Sequence, residues 1–125
     1  MSFFPLTLKG KTALISGSTQ GIGLATAQAL AELGATCTLL ARNEDSLKQA
    51  VTTLSTSEGQ QHSYLVADFS KPDEVRNAAT TFFRDNTVHI LINNTGGPAG
   101  GPITEAATDA FLAAFNQHLD RKSVV

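Results

Sequence analysis

The sequence has 125 residues, of which 42% are hydrophobic and 16% charged, and its formal net charge is −2. Length and composition are those of one ordinary globular domain, or of part of one. The negative net charge gives no electrostatic reason to bind nucleic acid, no apolar run is long enough to cross a membrane, and residues 1–5 lack the basic start of a signal peptide. We therefore expect a cytoplasmic protein without nucleic-acid or membrane partners.

Strand-like and helix-like segments alternate along the chain, which predicts an α/β fold with a parallel sheet covered on both faces. Right-handed crossovers order the four strands 3-2-1-4 and place a ligand crevice over the carboxyl ends of the first and fourth. The strands are predicted at residues 12–16, 36–40, 63–67 and 88–93. The helices are predicted from apolar residues at helical spacing: Ile22, Ala25, Ala29, Leu30 and Leu33; Leu47, Ala50, Val51 and Leu54; Val75, Ala78, Ala79, Phe82 and Phe83; and, from about residue 108, Phe111, Leu112, Phe115 and Leu119.

The third helix also has a start signal. The segment Ser70-Lys71-Pro72-Asp73 matches a capping box with a proline in the first turn. We therefore expect the Ser70 side chain to accept a hydrogen bond from a backbone N–H of that turn.

Three glycines lie between the first strand and the first helix, in the spacing Gly17-x-x-x-Gly21-x-Gly23. Gly17 allows a sharp turn after the strand, Gly21 leaves out a Cβ where a pyrophosphate must approach the backbone, and Gly23 lets the helix lie close on the sheet. The first N–H groups of the helix and its positive dipole end face the phosphates. This context predicts a nucleotide site formed by Gly17, Ser18, Thr19, Gln20, Gly21, Ile22 and Gly23.

The glycine spacing and three later motifs together resemble the short-chain dehydrogenase/reductase family, from about residue 10 to residue 119. The family's turn reads T-G-x-x-x-G-I-G, with Ser16 here in place of the threonine. The nearest type is the 3-oxoacyl-acyl-carrier-protein reductase. The resemblance implies a Rossmann-type doubly wound sheet, hydride transfer between nicotinamide and a small-molecule carbonyl or alcohol, and a homo-oligomer (dimer or tetramer). The later motifs are Leu33-Gly34-Ala35, Asp68 after the third strand and Asn93-Asn94-Thr95-Gly96 after the fourth.

The resemblance also assigns residues to the adenosine end of the cofactor. It implies that Asp68 accepts a hydrogen bond from the adenine amino group and that Phe69 lines the adenine pocket. The alternative for Asp68 is a loop residue that helps to start the next helix. Near the adenine ribose the resemblance places Asn94, Thr95 and Gly96, with Thr95 in place of the usual alanine.

The residues after the second strand bear on the choice of cofactor. An NAD-preferring site has an acidic side chain at the end of this strand, where it binds the ribose hydroxyls, whereas this chain has Ala41. Arg42 follows, and a guanidinium can bind two oxygens of a 2′-phosphate at once. The alternative is a solvated loop arginine, partly neutralised by the nearby Glu44. We expect NADP(H) rather than NAD(H).

The family's catalytic serine and Tyr-x-x-x-Lys motif have no counterpart in these 125 residues. We therefore expect residues 1–119 to be the N-terminal, dinucleotide-binding half of such a domain, truncated before the remaining strands and without a complete active site. His118 falls where the family has a catalytic asparagine; the alternative is a surface histidine without a role. For the whole chain, the alternative function is a non-catalytic dinucleotide sensor or interaction module, and an S-adenosylmethionine methyltransferase, which has a different glycine spacing, is a third.

Residues 120–125 interrupt the pattern of the last helix. Helical spacing from Phe111, Phe115 and Leu119 requires an apolar residue near 122, but Lys122 is there. One explanation is a helix end whose cations favour the C-terminal dipole. Because one back-translation of this segment with a stop codon matches common sequencing-adapter DNA, we expect a non-native or truncated tail.

The remaining candidates for chemistry have structural explanations. Cys37 lies in an apolar strand and is expected to be a small core residue, since no neighbour supports a catalytic thiol. Tyr64 is expected to pack in the third strand, and Asn93 to tie the fourth strand to its neighbours. The histidines show no metal-ligand spacing, so we expect no metal site. They are His62, His89 and His118.

Overall fold

The computed structural model describes residues 7–17 and 19–93, together with Asp109 and Ala113. All the strands in these ranges pair in parallel, in the order β3-β2-β1-β4. The α/β fold class and the predicted strand order are therefore confirmed. The elements are β1 (Thr12–Ser16), α1 (Gly21–Glu32), β2 (Thr36–Ala41), α2 (Glu44–Thr52), β3 (Ser63–Val66), α3 (Pro72–Asp85) and β4 (Ile90–Asn93).

The two central strands, β1 and β2, are buried on both faces of the sheet. This is the usual state of a parallel sheet with helices on both sides, because successive side chains point to opposite faces. One face packs against α1 and α2, and the other against α3. The first layer contains Ala13, Ile15, Ala27, Ala31, Cys37, Leu39, Leu47 and Ala50. The second contains Leu14, Leu40, Ala67, Val75, Ala79, Phe83 and Val88.

The chain leaves α1 through a glycine turn that is closely packed. Leu33 is the C-cap, and Gly34 follows with a φ of +105°, which glycine adopts at little cost. A Cβ at Gly34 would lie 2.9 Å from the backbone N of Lys9. The N–H of Leu8 also donates to the carbonyl of Leu33, at 2.6 Å. The segment before β1 is therefore held directly against the end of α1.

The fourth strand starts later than predicted, at Ile90 rather than residue 88. The reason lies in His89. Its backbone N–H donates to the carbonyl of Thr12 at 2.9 Å, but its ring Nδ1 accepts the N–H of Thr12 at 3.1 Å. A side chain thus takes the place of a backbone acceptor, and the regular ladder begins one residue further on. Val88 is still buried, in the α3 layer.

Smaller differences concern β2, β3 and α2. The second strand extends to Ala41, one residue past the prediction, and the third ends at Val66, one residue before it. The second helix ends at Thr52, so Leu54 lies outside it. The N–H groups of Thr53 and Leu54 donate to the carbonyls three residues earlier, which tightens the last turn and keeps Leu54 buried on the same face.

The predicted capping box before α3 is wrong. The N-cap is Lys71, without a side-chain cap, and Pro72 occupies the first position, where its missing N–H costs nothing. Ser70 therefore lies one residue before the N-cap, and its hydroxyl donates to the Asp68 carboxylate. Glu74 reaches back from the first turn and accepts the backbone N–H of Asp68 at 3.1 Å.

Several predictions fall outside the described residues. Asp109 and Ala113 are helical, as expected of a helix that begins near residue 108. In the described ranges, no helix has the length and apolar character needed to span a bilayer. Outside them lie Ser18, Asn94, Thr95, Gly96, Phe111, Leu112, Phe115, His118, Leu119 and residues 120–125.

Candidate functional site

The register of the sheet brings the carboxyl ends of the strands to one edge. Ser16, the last residue of β1, is paired with Leu40 on one side and Asn93 on the other. The residues that follow the strands, such as Gly17 and Arg42, therefore lie along the same edge. The strand order reverses between β1 and β4, and ligands of doubly wound sheets bind at such a reversal.

The glycine turn has the conformation that its spacing predicts. Gly17 has a φ of +62°, and its N–H donates to the carbonyl of Leu40 at 2.9 Å, so the chain turns immediately after the ladder ends. Gly21 also has a φ of +62°, and a Cβ there would meet no described atom within 4 Å. Gly23 is buried in the first turn of α1. The backbone at Gly21 therefore faces space that the described part of the protein leaves open.

In the described part of the chain, no side chain caps the backbone donors at the N-terminus of α1. The N-cap residue, Gln20, is extended and makes no side-chain capping bond, and the first turn contains no acidic residue. Thr19 is half-buried, whereas Ile22 is 79% exposed. The first N–H groups of a helix have no partner within the helix and carry its positive dipole end. This end of α1 is suited to bind an anion.

A buried hydroxyl joins β1 to β4 beside the turn. Ser16 is fully buried, and its Oγ donates to Oδ1 of Asn93 at 3.1 Å. The predicted role of Asn93, to tie the fourth strand to its neighbours, is confirmed. This bond ties together the two strand ends between which the strand order reverses.

Asp68 lies two residues beyond the end of β3, and hydrogen bonds fix its carboxylate. Oδ1 accepts the backbone N–H and the hydroxyl of Ser70, each at 2.8 Å. These two bonds, together with the positive charges of Arg42 and Lys71, hold the pKa of Asp68 below its ordinary value. In the described part of the chain Oδ2 has no hydrogen-bond donor. The adjacent Phe69 is half-buried and packs against the α3 layer.

Arg42 follows the last residue of β2 and is exposed. Its charge is one of the causes that hold the pKa of Asp68 below its ordinary value. Nevertheless, no carboxylate of the described residues forms an ion pair with Arg42. Because Ala41 ends the strand without a carboxylate, an anionic group placed here would meet an unpaired guanidinium.

A contact that sequence reasoning missed joins β3 to the first residue of α2. The hydroxyl of Tyr64 donates to Oε2 of Glu44 at 2.9 Å, and the ring packs against the α1–α2 layer, as predicted. The bond to Glu44 is the main reason that the pKa of Tyr64 is raised. No local signal could have revealed this contact, because the two residues are 20 positions apart and meet only in the folded protein.

The two described histidines lie at the other end of the sheet and have structural roles. Nδ1 of His62 accepts the N–H of Cys37 at 3.0 Å, and its Nε2 lies 2.7 Å from the carbonyl of Ser55. His89 makes the similar bond to Thr12. Nothing in the described ranges brings three His, Cys, Asp or Glu side chains together as a metal site. Sequence reasoning did not foresee that these rings close the amino ends of strands.

Cys37 is fully buried among apolar side chains of the α1–α2 layer, as predicted. Burial raises the pKa of its thiol from 9.0 to about 11. Because the thiolate is the reactive form, we expect no labelling of the folded protein by a thiol reagent at pH 8 and complete labelling in denaturant. Absorbance from a chromogenic disulfide reagent measures both states.

The same shift predicts how stability depends on pH. The unfolded thiol ionises near pH 9 and the folded one only near pH 11, so stability falls as the pH rises through this interval. Tyr64 acts in the same direction. Urea unfolding of the wild type and of Cys37→Ala gives the free energy of unfolding of each protein at pH 8 and at pH 10.5. The contribution of Cys37 is the part of the loss between these pH values that the wild type shows and Cys37→Ala does not. An equal loss in both proteins would contradict the assignment to Cys37.

A family model for short chain dehydrogenases matches residues 11–120. The chain is 40% identical over 116 residues to "Granaticin polyketide synthase putative ketoacyl reductase 1" of Streptomyces violaceoruber, which covers 92% of this chain and 42% of that protein. It is 30% identical over 113 residues to the 3-oxoacyl-[acyl-carrier-protein] reductase FabG of Chlamydia trachomatis serovar D, which covers 90% of this chain and 46% of that protein. The chain thus spans less than half the length of both relatives.

The structure resembles that of the actinorhodin polyketide ketoreductase with NADPH. The TM-score is 0.69 at 25% sequence identity, and the match covers 89% of this chain and 49% of that one. The similarity therefore extends over nearly all of this chain in three dimensions as well as in sequence.

Proposed function

Because the chain belongs to the short-chain dehydrogenase family, we propose that it is the cofactor-binding half of an NADP-dependent oxidoreductase. When bound, the nicotinamide supplies or accepts the hydride at the carbon of a carbonyl or hydroxyl group, while a proton joins or leaves the oxygen. The names of the similar reductases favour a ketoacyl group as the substrate. One observation supports the choice of cofactor: Arg42 is exposed and forms no ion pair in the described part of the chain.

In this proposal the glycine turn and α1 bind the pyrophosphate. The missing Cβ at Gly21 leaves room for the phosphates, since no described atom lies within 4 Å of that position. Because the side chain of Gln20 does not cap α1, the first N–H groups can donate to phosphate oxygens without displacing a side chain of the described residues. The full proposed set is Gly17, Ser18, Thr19, Gln20, Gly21, Ile22 and Gly23.

Asp68 and Phe69 would bind the adenine. The bonds from Ser70 hold the Asp68 carboxylate in place through Oδ1, which leaves Oδ2 to accept the adenine amino group. Phe69 is half-buried beside it and would line the adenine pocket. The proposed contacts near the ribose are Asn94, Thr95 and Gly96.

The 2′-phosphate of NADP would bind to Arg42. A carboxylate at the end of β2 would repel this phosphate, and Ala41 provides none. The guanidinium can donate to two phosphate oxygens, and such a charge-assisted interaction contributes about 1.5–3 kcal/mol. The protein should therefore prefer NADPH to NADH.

The substitution Arg42→Ala tests this assignment in the intact protein that carries the chain. We expect the affinity for NADPH to fall about 10- to 100-fold and the affinity for NADH to change little, measured by titration of protein fluorescence or calorimetry. Arg84→Ala is the matched control, because Arg84 is an exposed arginine in the last turn of α3. Equal affinities of the wild type for the two cofactors, or a preference that survives Arg42→Ala, would contradict the proposal.

The same proposal extends to parts of the protein beyond the described residues. His118 would stand at the position of the family's catalytic asparagine and take part in proton transfer. The intact protein would be a cytoplasmic homo-oligomer that acts on a small carbonyl or alcohol. Its substrate pocket would be built mainly by the second half of the domain, which the relatives have beyond the matched region.

A further inference from the structure

The first residue of α2 places a negative charge close to Arg42 along the chain. Glu44 is separated from Arg42 only by Asn43, the N-cap whose side chain accepts the N–H of Ser46 at 3.0 Å. Because the backbone of Asn43 is extended, the residues before and after it project to the same side, so a carboxylate at this position can reach the arginine. It would then compete with a phosphate for the guanidinium, and it would also repel the phosphate directly.

The structure shows that Glu44 is turned to a different partner. Its Oε2 accepts the hydroxyl of Tyr64 at 2.9 Å, and no ion pair between Glu44 and Arg42 occurs in the described part of the chain. The tyrosine is well placed to hold it. Its backbone is paired with Leu39 of the buried strand β2, and its ring packs against the α1–α2 layer.

From this arrangement we propose that Tyr64 is a positioning residue for cofactor choice. Its hydroxyl holds the Glu44 carboxylate beside β3 and away from Arg42, and so keeps Arg42 available for a 2′-phosphate. The inference rests on the proposed function, because it requires Arg42 to bind that phosphate.

The test uses only the adenosine end of the cofactor. The probes are adenosine 2′,5′-bisphosphate and 5′-AMP, which differ in the 2′-phosphate alone, and their affinities are measured by calorimetry on the intact protein. Tyr64→Phe removes the hydroxyl and keeps the packed ring. We expect it to weaken binding of the bisphosphate about three- to tenfold, because the released Glu44 carboxylate then acts on Arg42 and on the phosphate. The affinity for 5′-AMP should stay unchanged.

The second variant removes the charge of Glu44. In the wild-type background Glu44→Gln should change the affinity for the bisphosphate less than twofold, because Tyr64 already holds the carboxylate away. In the Tyr64→Phe background it should restore the affinity, so the two substitutions are coupled. Asp45→Asn is the matched control: Asp45 is the neighbouring acid of the same helical turn, and no described side chain is bonded to it. It should not restore the affinity. The penalty of Tyr64→Phe should also shrink at high salt.

The outcomes separate the two proposals. If the wild type binds both probes equally, Arg42 selects no phosphate and the proposed cofactor is wrong. If the wild type prefers the bisphosphate but Tyr64→Phe keeps that preference, the positioning role of Tyr64 is overturned and the cofactor proposal stands. A several-fold gain from Glu44→Gln in the wild-type background would likewise overturn it, since the carboxylate would then already face Arg42.

Discussion

Replacing Gly34 by alanine is expected to lower the free energy of unfolding by about 2–4 kcal/mol. Two costs add at this position. The φ of +105° is unfavourable for a residue with a Cβ, and that Cβ would lie 2.9 Å from the N and 3.1 Å from the Cα of Lys9. Both of these are backbone atoms, so they can move away only if the segment before β1 leaves α1. Urea unfolding followed by circular dichroism measures the loss.

Gly59→Ala provides the matched control. Gly59 has a similar positive φ, +78°, but a Cβ there would meet no described atom within 4 Å. Only the conformational cost of the positive φ remains, which is about 1–2 kcal/mol. If the two alanine variants lose the same stability, the close approach of Lys9 to Gly34 does not contribute, and the explanation given for the end of α1 is wrong.

The 125-residue chain by itself is expected to bind NADPH but to reduce no carbonyl compound at a measurable rate. A positioned general acid contributes on the order of 10²–10⁴-fold, and the family's Tyr-x-x-x-Lys pair is absent from these residues. Tyr64 is the chain's one tyrosine, and the residue four positions on is Asp68. Since its bond to Glu44 raises the pKa of Tyr64, it is also a poor proton donor.

The loss of NADPH absorbance in the presence of a ketoacyl thioester measures turnover, and NADPH fluorescence shows in the same sample that the cofactor is bound. Turnover in proportion to the concentration of purified chain would contradict this expectation. Tyr64→Phe would then show whether Tyr64 supplies the proton, because activity that survives the substitution must use another group.

The sheet could be predicted because each strand carries its own local signal. The buried strand β1 is bounded by Lys11 and Gly17, and its predicted limits match the structure. At two of the positions where prediction failed, a side chain makes an unforeseen hydrogen bond. The ring of His89 takes the place of a backbone acceptor at the start of β4, and the Ser70 hydroxyl donates to Asp68 instead of capping α3. Sequence patterns describe backbone preferences and cannot rank such competing side-chain bonds.

In the candidate site too, the sequence predicts the positions of backbone segments better than individual side-chain bonds. Gly17, Gly21 and Arg42 follow strands that end at one edge, so strand order alone predicts that they lie along that edge. The bond between Tyr64 and Glu44 depends on the register of β2 and β3, because a shift of one residue would turn the ring to the other face of the sheet. Register is set by packing over the whole layer, and no short segment of the sequence specifies it.

The two ends of the sheet differ in how freely they can change during evolution, because the bonds of His62 and His89 constrain only one of them. At the amino ends of the strands, ring nitrogens already accept the N–H groups of Cys37 and Thr12, so a substitution there disturbs folding. At the carboxyl ends, the uncapped start of α1 and the side chain of Arg42 support no described part of the fold. Substitutions of Arg42 can therefore alter ligand preference with little cost in stability, so a lineage could exchange one cofactor for another while the same sheet is retained.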